Sequence, residues 1–130
     1  MVRHCHSYSK ISQKLFWGIY NIIKNNYKNI YFATYNNGNK NCYKNYEYEV
    51  VLDDEIHRYY LDFYVKDNNK IIEFDGDYWH GEKRGNQNRD RLREEKLKQL
   101  GFINILHIKE CDYIANPEKI VAECVKYIRG

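Results

Sequence analysis

"RYYLDFYVKDNNKIIEFDG", residues 58–76, decides the fold. Two runs of alternating apolar and polar residues flank the turn signal Asp67-Asn68-Asn69, the pattern of a β-hairpin. A two-residue turn at Asn68-Asn69 or a four-residue loop from Asp67 to Lys70 predicts the same register. Asp62 then lies opposite Asp75, and Tyr64 opposite Glu73. Leu61, Phe63 and Val65 share one face, as do Ile72 and Phe74. Asp62, Glu73 and Asp75 share the other. Directly opposed side chains stand ~5 Å apart and diagonal ones ~7–8 Å. A three-residue loop would instead separate Asp62 from Glu73.

Three carboxylates at that spacing cannot all ionise cheaply. Either a proton stays bound or a divalent cation neutralises the cluster. Oxygen donors favour a hard ion, so Mg²⁺ is expected, with Mn²⁺ as substitute. The competing reading is a structural cluster neutralised by Arg58 or Arg84. The strand continues into "DYWHG", residues 77–81, which puts His80 beside the acids, where an imidazole can move a proton.

Around the hairpin, Ile11, Leu15, Ile19, Ile22 and Ile23 recur at helical spacing after the capping serines Ser7, Ser9 and Ser12. "NIYFATY" (29–35) and "YKNYEYEVVL" (43–52) read as strands. A helix is expected from about Asn88 to Leu100, stopped by Gly101, then a buried strand over 102–109. Asn116 caps a last helix that opens with Pro117. Strands with crossover helices predict an α/β fold, a mixed central sheet flanked by helices. Asp90 lies seven residues before Leu97 and shares its helix face. It could orient His80, bind the ion, or serve as a first-turn acid. Arg84, Arg89, Arg91, Arg93, Lys96 and Lys98 flank this helix. They read as a solvated face or as a grip on phosphates.

The chain has 130 residues, 43% of them hydrophobic and 30% charged, with a net charge of +3. That fits one soluble domain, expected over 9–130 after a tail of residues 1–8, and offers only weak support for a nucleic-acid partner. Cys5, Cys42, Cys111 and Cys124 form no Cys-x-x-Cys pair, so a zinc ribbon is unsupported. They read as reduced thiols of an intracellular protein, cytoplasmic or nucleoid-associated, and no apolar signal core or membrane-length run is present. His4, Cys5 and His6 read as part of the tail, or as metal ligands completed from elsewhere. Heavy use of Asn, Lys, Ile and Tyr suggests an AT-rich genome, and a phage or virus is a candidate source.

Asp62, ten intervening residues, then Glu73-Phe74-Asp75 resembles the PD-(D/E)XK nuclease superfamily, with its restriction-endonuclease-like fold. Residues 58–108 are similar to the branch that holds very-short-patch repair endonucleases and phage homing endonucleases. The resemblance implies a Mg²⁺-dependent DNA endonuclease acting on double-stranded DNA, or a binding module that keeps the fold without turnover. It makes Asp62 the central metal ligand, Glu73 the second acid and the Phe74 carbonyl a third ligand. His80 becomes the proton-transfer residue with Asp90 as its partner, and Tyr78 and Trp79 become aromatics near the DNA. Two positions depart from the pattern. Asp75 stands where a lysine is usual, and Gln13 and Lys14 stand where the first helix often has a glutamate. Glu47 or Glu49 is expected to supply that charge, with Glu49 preferred because it adjoins Val50 and Val51. One site per monomer implies nicking; a double-strand break needs a homodimer or a second event. Target choice is left to a partner or a separate specificity domain.

Overall fold

The computed structural model describes residues 10–33, 43–44, 47–51, 58–76 and 84–130, with the backbone alone at 43–44 and 84–90. Chain order is α1 (Lys10–Ile23), β1 (Ile30–Tyr31), β2 (Tyr43–Lys44), β3 (Tyr48–Val51), β4 (Arg58–Leu61), β5 (Phe63–Val65), β6 (Lys70–Asp75), α2 (Arg84–Gln99), β7 (Ile105–Lys109), α3 (Glu110–Ala115) and α4 (Pro117–Arg129). Five strands form a mixed sheet in the order β2-β1-β5-β6-β7. β6 is antiparallel to β5 and parallel to β7. β3 and β4 pair separately as an antiparallel ribbon. The α/β architecture, a mixed central sheet with flanking helices, is that of a restriction-endonuclease-like fold.

The alternation in β6 builds both layers. Ile72 and Phe74 face a core shared with Phe63, Val65 and Ile108, covered by Leu15, Phe16 and Ile19 of α1 and by Ile120, Cys124 and Ile128 of α4. Ile71 faces the other layer, with Tyr31, Val50, Leu61, Tyr64 and Leu97. Phe16 and Tyr20 complete the apolar stripe of α1, while Ile22 points outward. Asn116 caps α4 by accepting from the Lys119 amide at 3.2 Å. Gly101, at φ 102°, ends α2, and the Phe102 amide reaches back to the Leu97 carbonyl at 2.9 Å. This is the left-handed terminus that glycine permits.

The hairpin register differs from expectation by two residues. Phe63 pairs with Ile72, Tyr64 with Ile71 and Val65 with Lys70, so Tyr64 does not oppose Glu73. The loop is Lys66 to Asn69, a 3-10 turn closed by Asn69 in the left-handed region. Tertiary bonds select it. The Asp67 carboxylate accepts from the amides of Lys28 and Asn29 at 3.1 and 2.8 Å, and Asn69 donates to the Gly101 carbonyl at 2.8 Å. Because the shift is even, side-chain parity survives. A second difference lies at Asp62, where the chain bends between β4 and β5. Leu61 therefore packs with Tyr64 and Ile71 rather than with Phe63 and Val65.

The expected strand over 43–52 is two strands in different sheets. α2 begins at Arg84, before the predicted Asn88, and α3 was not foreseen. With Tyr113 as its one buried residue, α3 has too short an apolar repeat to read. Residues 1–9, and with them the expected tail and His4, Cys5 and His6, lie outside the described residues. Among the described residues no helix is long and apolar enough to cross a membrane.

Asn69 tests the loop. Asn69→Ala must hold φ 58° without an amide and lose the bond to Gly101 and the one from Tyr64 Oη. It is expected to destabilise the fold by about 2 kcal/mol in urea unfolding, and Asn69→Gly by about half that, since glycine keeps the backbone.

Candidate functional site

The bend at Asp62 joins two acids. With Phe63 on Ile72, the next residues along, Asp62 and Glu73, fall opposite each other. Their carboxylates then bond across the strands. The Asp62 amide donates to Glu73 Oε2 at 2.9 Å, and the Phe74 amide donates to Asp62 Oδ2 at 2.9 Å. Each acid thus satisfies an amide on the other's strand where the regular ladder is interrupted.

Glu73 is 8% exposed. Burial and the neighbouring Asp62 push its carboxyl well above the ordinary carboxylate range. Asp62 is raised to about 6, chiefly by burial, with the Phe74 amide and Arg93 opposing the rise. Both shifts have the same leading cause, burial of the carboxyl away from water.

Glu47, not Glu49, stands against this pair. Glu47 lies one step beyond the Tyr48–Leu61 pair of the ribbon, is buried, and hydrogen-bonds Asp62. Glu49 is on the surface, where it accepts from Tyr60 Oη at 3.0 Å and pairs with Arg58 at 3.5 Å. The expectation for Glu49 is corrected: the extra residue pair along the ribbon carries it out to solvent. Arg58 is therefore spent on Glu49 rather than on the acid cluster.

Among the described residues, Arg93 is the arginine that pairs with this acid cluster. Its Nη2 lies 3.7 Å from Glu73 Oε1, and its guanidinium lies over the Tyr59 ring, 5.1 Å from the centroid. Four residues before the buried Leu97, it turns toward the sheet on the same helix face. Arg91 is exposed. The side chains of Arg84, Arg89 and Asp90 lie outside the described residues, as do Tyr78, Trp79 and His80. Gln13 is buried in α1 and donates to the Ala33 carbonyl at 2.6 Å.

Sequence reasoning passed over His107. It pairs with Glu73 in the β6–β7 register. Its Nδ1 lies 3.1 Å from Asp75 Oδ2, and its Nε2 meets Glu94 Oε1 of α2. The Asp75 bond, then the Glu94 bond, raise its pKa to about 9 against the opposing effect of burial. A lone polar residue between Leu106 and Ile108 was the available signal.

Among the described residues no group of three His, Cys, Asp or Glu side chains is arranged to hold a metal ion. What the geometry presents is a carboxylate pair, Asp62 and Glu73, with Glu47 behind it and Arg93 and His107 at its sides. The model of the REase_MTES_1575 family matches residues 41–128. No curated protein and no solved structure matches the chain.

Two pH dependences are expected. Asp62 favours the folded chain when protonated, so its contribution is full below its ordinary 3.8 and is lost as pH rises through about 6. Asp62→Asn should therefore raise the apo-protein's stability by up to about 2–3 kcal/mol above pH 6. The gain should vanish toward pH 4, read by thermal melts in a chelator. For His107 the raised pKa means stabilisation that is full below its ordinary 6.5 and lost as pH rises through about 9. The stability gap between wild type and His107→Gln should shrink over that interval in urea titrations.

Proposed function

As the chain belongs to REase_MTES_1575, a restriction-endonuclease-like family of nucleases, we propose that it is a Mg²⁺-dependent DNA endonuclease that nicks one strand per site. The observation that carries this reading is the opposed, amide-bonded pair Asp62 and Glu73 at a break in the sheet. Sequence resemblance in "LDF", "EFDG" and the aromatic-His segment supports the finer reading, an enzyme of the very-short-patch repair or homing type.

The donor set fits a hard cation. Mg²⁺ takes one or two carboxylates and completes its shell with water and phosphate oxygens, so it needs no third acidic side chain. Burial raises both carboxyls above their ordinary range, so the pair ionises readily only when a cation stands beside it. Asp62 and Glu73 would hold the ion, with the Phe74 carbonyl as a further ligand. When bound, such an ion supplies Lewis-acid polarisation of the scissile phosphate and lowers the pKa of a water.

The chain's own groups do the rest. Tyr59 and Glu73 hold Arg93 at the mouth of the acidic site, where its fork suits a phosphate. Arg91, with Arg84 and Arg89 of the same helix, binds flanking phosphates and fixes the duplex. His80, oriented by Asp90, moves a proton at the attacking or leaving oxygen. Tyr78 and Trp79 contact the bases. Glu47 keeps Asp62 oriented through their hydrogen bond.

The test is supercoiled plasmid with Mg²⁺ or Mn²⁺. Wild type should accumulate nicked circles, and chelator should stop it. Asp62→Ala and His80→Ala should each lose about 100-fold or more. Nicking that survives in Asp62→Ala would overturn the proposal, and duplex retention without cleavage would point instead to a binding module.

A further inference from the structure

We propose that His107 is a positioning residue of the acidic site, a fixed internal cation that engages Asp75 and Glu94 and so leaves the Asp62–Glu73 pair to take the divalent ion. The inference rests on the reading of that pair as a cation site. Its observations are independent of it.

The first is bonding. Both ring nitrogens of His107 face carboxylate oxygens, Asp75 on one side and Glu94 on the other. A ring that donates to two acceptors carries a proton on each nitrogen and is cationic. Neither nitrogen is left with a lone pair for a substrate, so His107 acts through its neighbours.

The second is placement. The β6–β7 register sets His107 beside Glu73. Asp75, which His107 engages, stands two residues beyond Glu73 on the same strand.

The third is the attachment of α2. Over 91–99 this helix buries Leu97 alone. Its other links to the sheet are polar: Arg93 to Glu73, and Glu94 to His107. Lys98 also pairs with Glu94, at 3.6 Å, on the helix's outer side. Since Arg93 and Glu94 are adjacent, the His107–Glu94 bond helps set where the guanidinium stands over Tyr59.

The sign of one measurement separates this role from a merely structural one. Mn²⁺ binding is measured by calorimetry near neutral pH on wild type, His107→Gln and His107→Lys, with folding checked by circular dichroism. Removing a fixed positive charge near a divalent ion should tighten binding by about three- to tenfold in His107→Gln. His107→Lys, which keeps the charge, should stay within about twofold of wild type. Structural damage would loosen binding. Unchanged or weaker Mn²⁺ binding by folded His107→Gln overturns the inference. If that variant does not fold, Glu94→Gln serves. Leaving the imidazolium less neutralised, it should weaken binding by about two- to fivefold, and no change overturns the inference. A wild type that binds no Mn²⁺ overturns the cation-site reading and this inference together. A wild type that binds, with variants unaltered, overturns this inference alone.

Discussion

Two backbone amides hold the acidic site together. At the bend after Leu61 the β-ladder is interrupted, and the amides of Asp62 and Phe74 turn to carboxylates instead of carbonyls. An unpaired buried amide is costly, as is a buried carboxylate, and here each answers the other. The same bend sends β4 into the separate ribbon with β3, which brings Glu47 to Asp62 and Tyr59 beneath Arg93. The interruption that weakens the sheet locally is the one that assembles the site.

The apolar cores sit to either side of this junction and do not depend on it equally. The layer beneath α1 and α4 is deep, with Phe16, Phe32 and Phe63 in mutual ring contact. The opposite layer is closed by the ribbon and by a helix that offers little apolar surface of its own. α2 is therefore held by Leu97 together with charge pairs that converge on the sheet end. A helix docked through polar contacts places its charged side chains reproducibly at the site, whereas a purely apolar stripe would leave them to solvent.

Much of this was readable before any coordinates. The shared face of Asp62, Glu73 and Asp75 followed from alternation, and it survived a register different from the expected one because an even shift preserves parity. The phase of α2 followed from Leu97, its C-terminal stop from Gly101, and the start of α4 from Asn116 and Pro117. The choice between Glu47 and Glu49 was not readable. The two stand at alternate positions around Tyr48, and only the Tyr48–Leu61 pairing says which one reaches Asp62. The role of Arg93 was half readable: the helix phase turns it inward, but its attachment to Glu73 rather than to solvent needs the helix and sheet together.

Local chemistry thus determined which residues could be buried, turned or capped, because hydrophobic period, loop residues and capping groups act over a few neighbours. The tertiary structure alone decided which charges meet. Asp67 reaches the amides of Lys28 and Asn29 and so selects the hairpin loop. The parallel pairing of β6 with β7 sets His107 beside Glu73 across 34 positions of chain. Contacts of that range depend on how whole elements pack, and no short-range pattern in the chain encodes the choice among them.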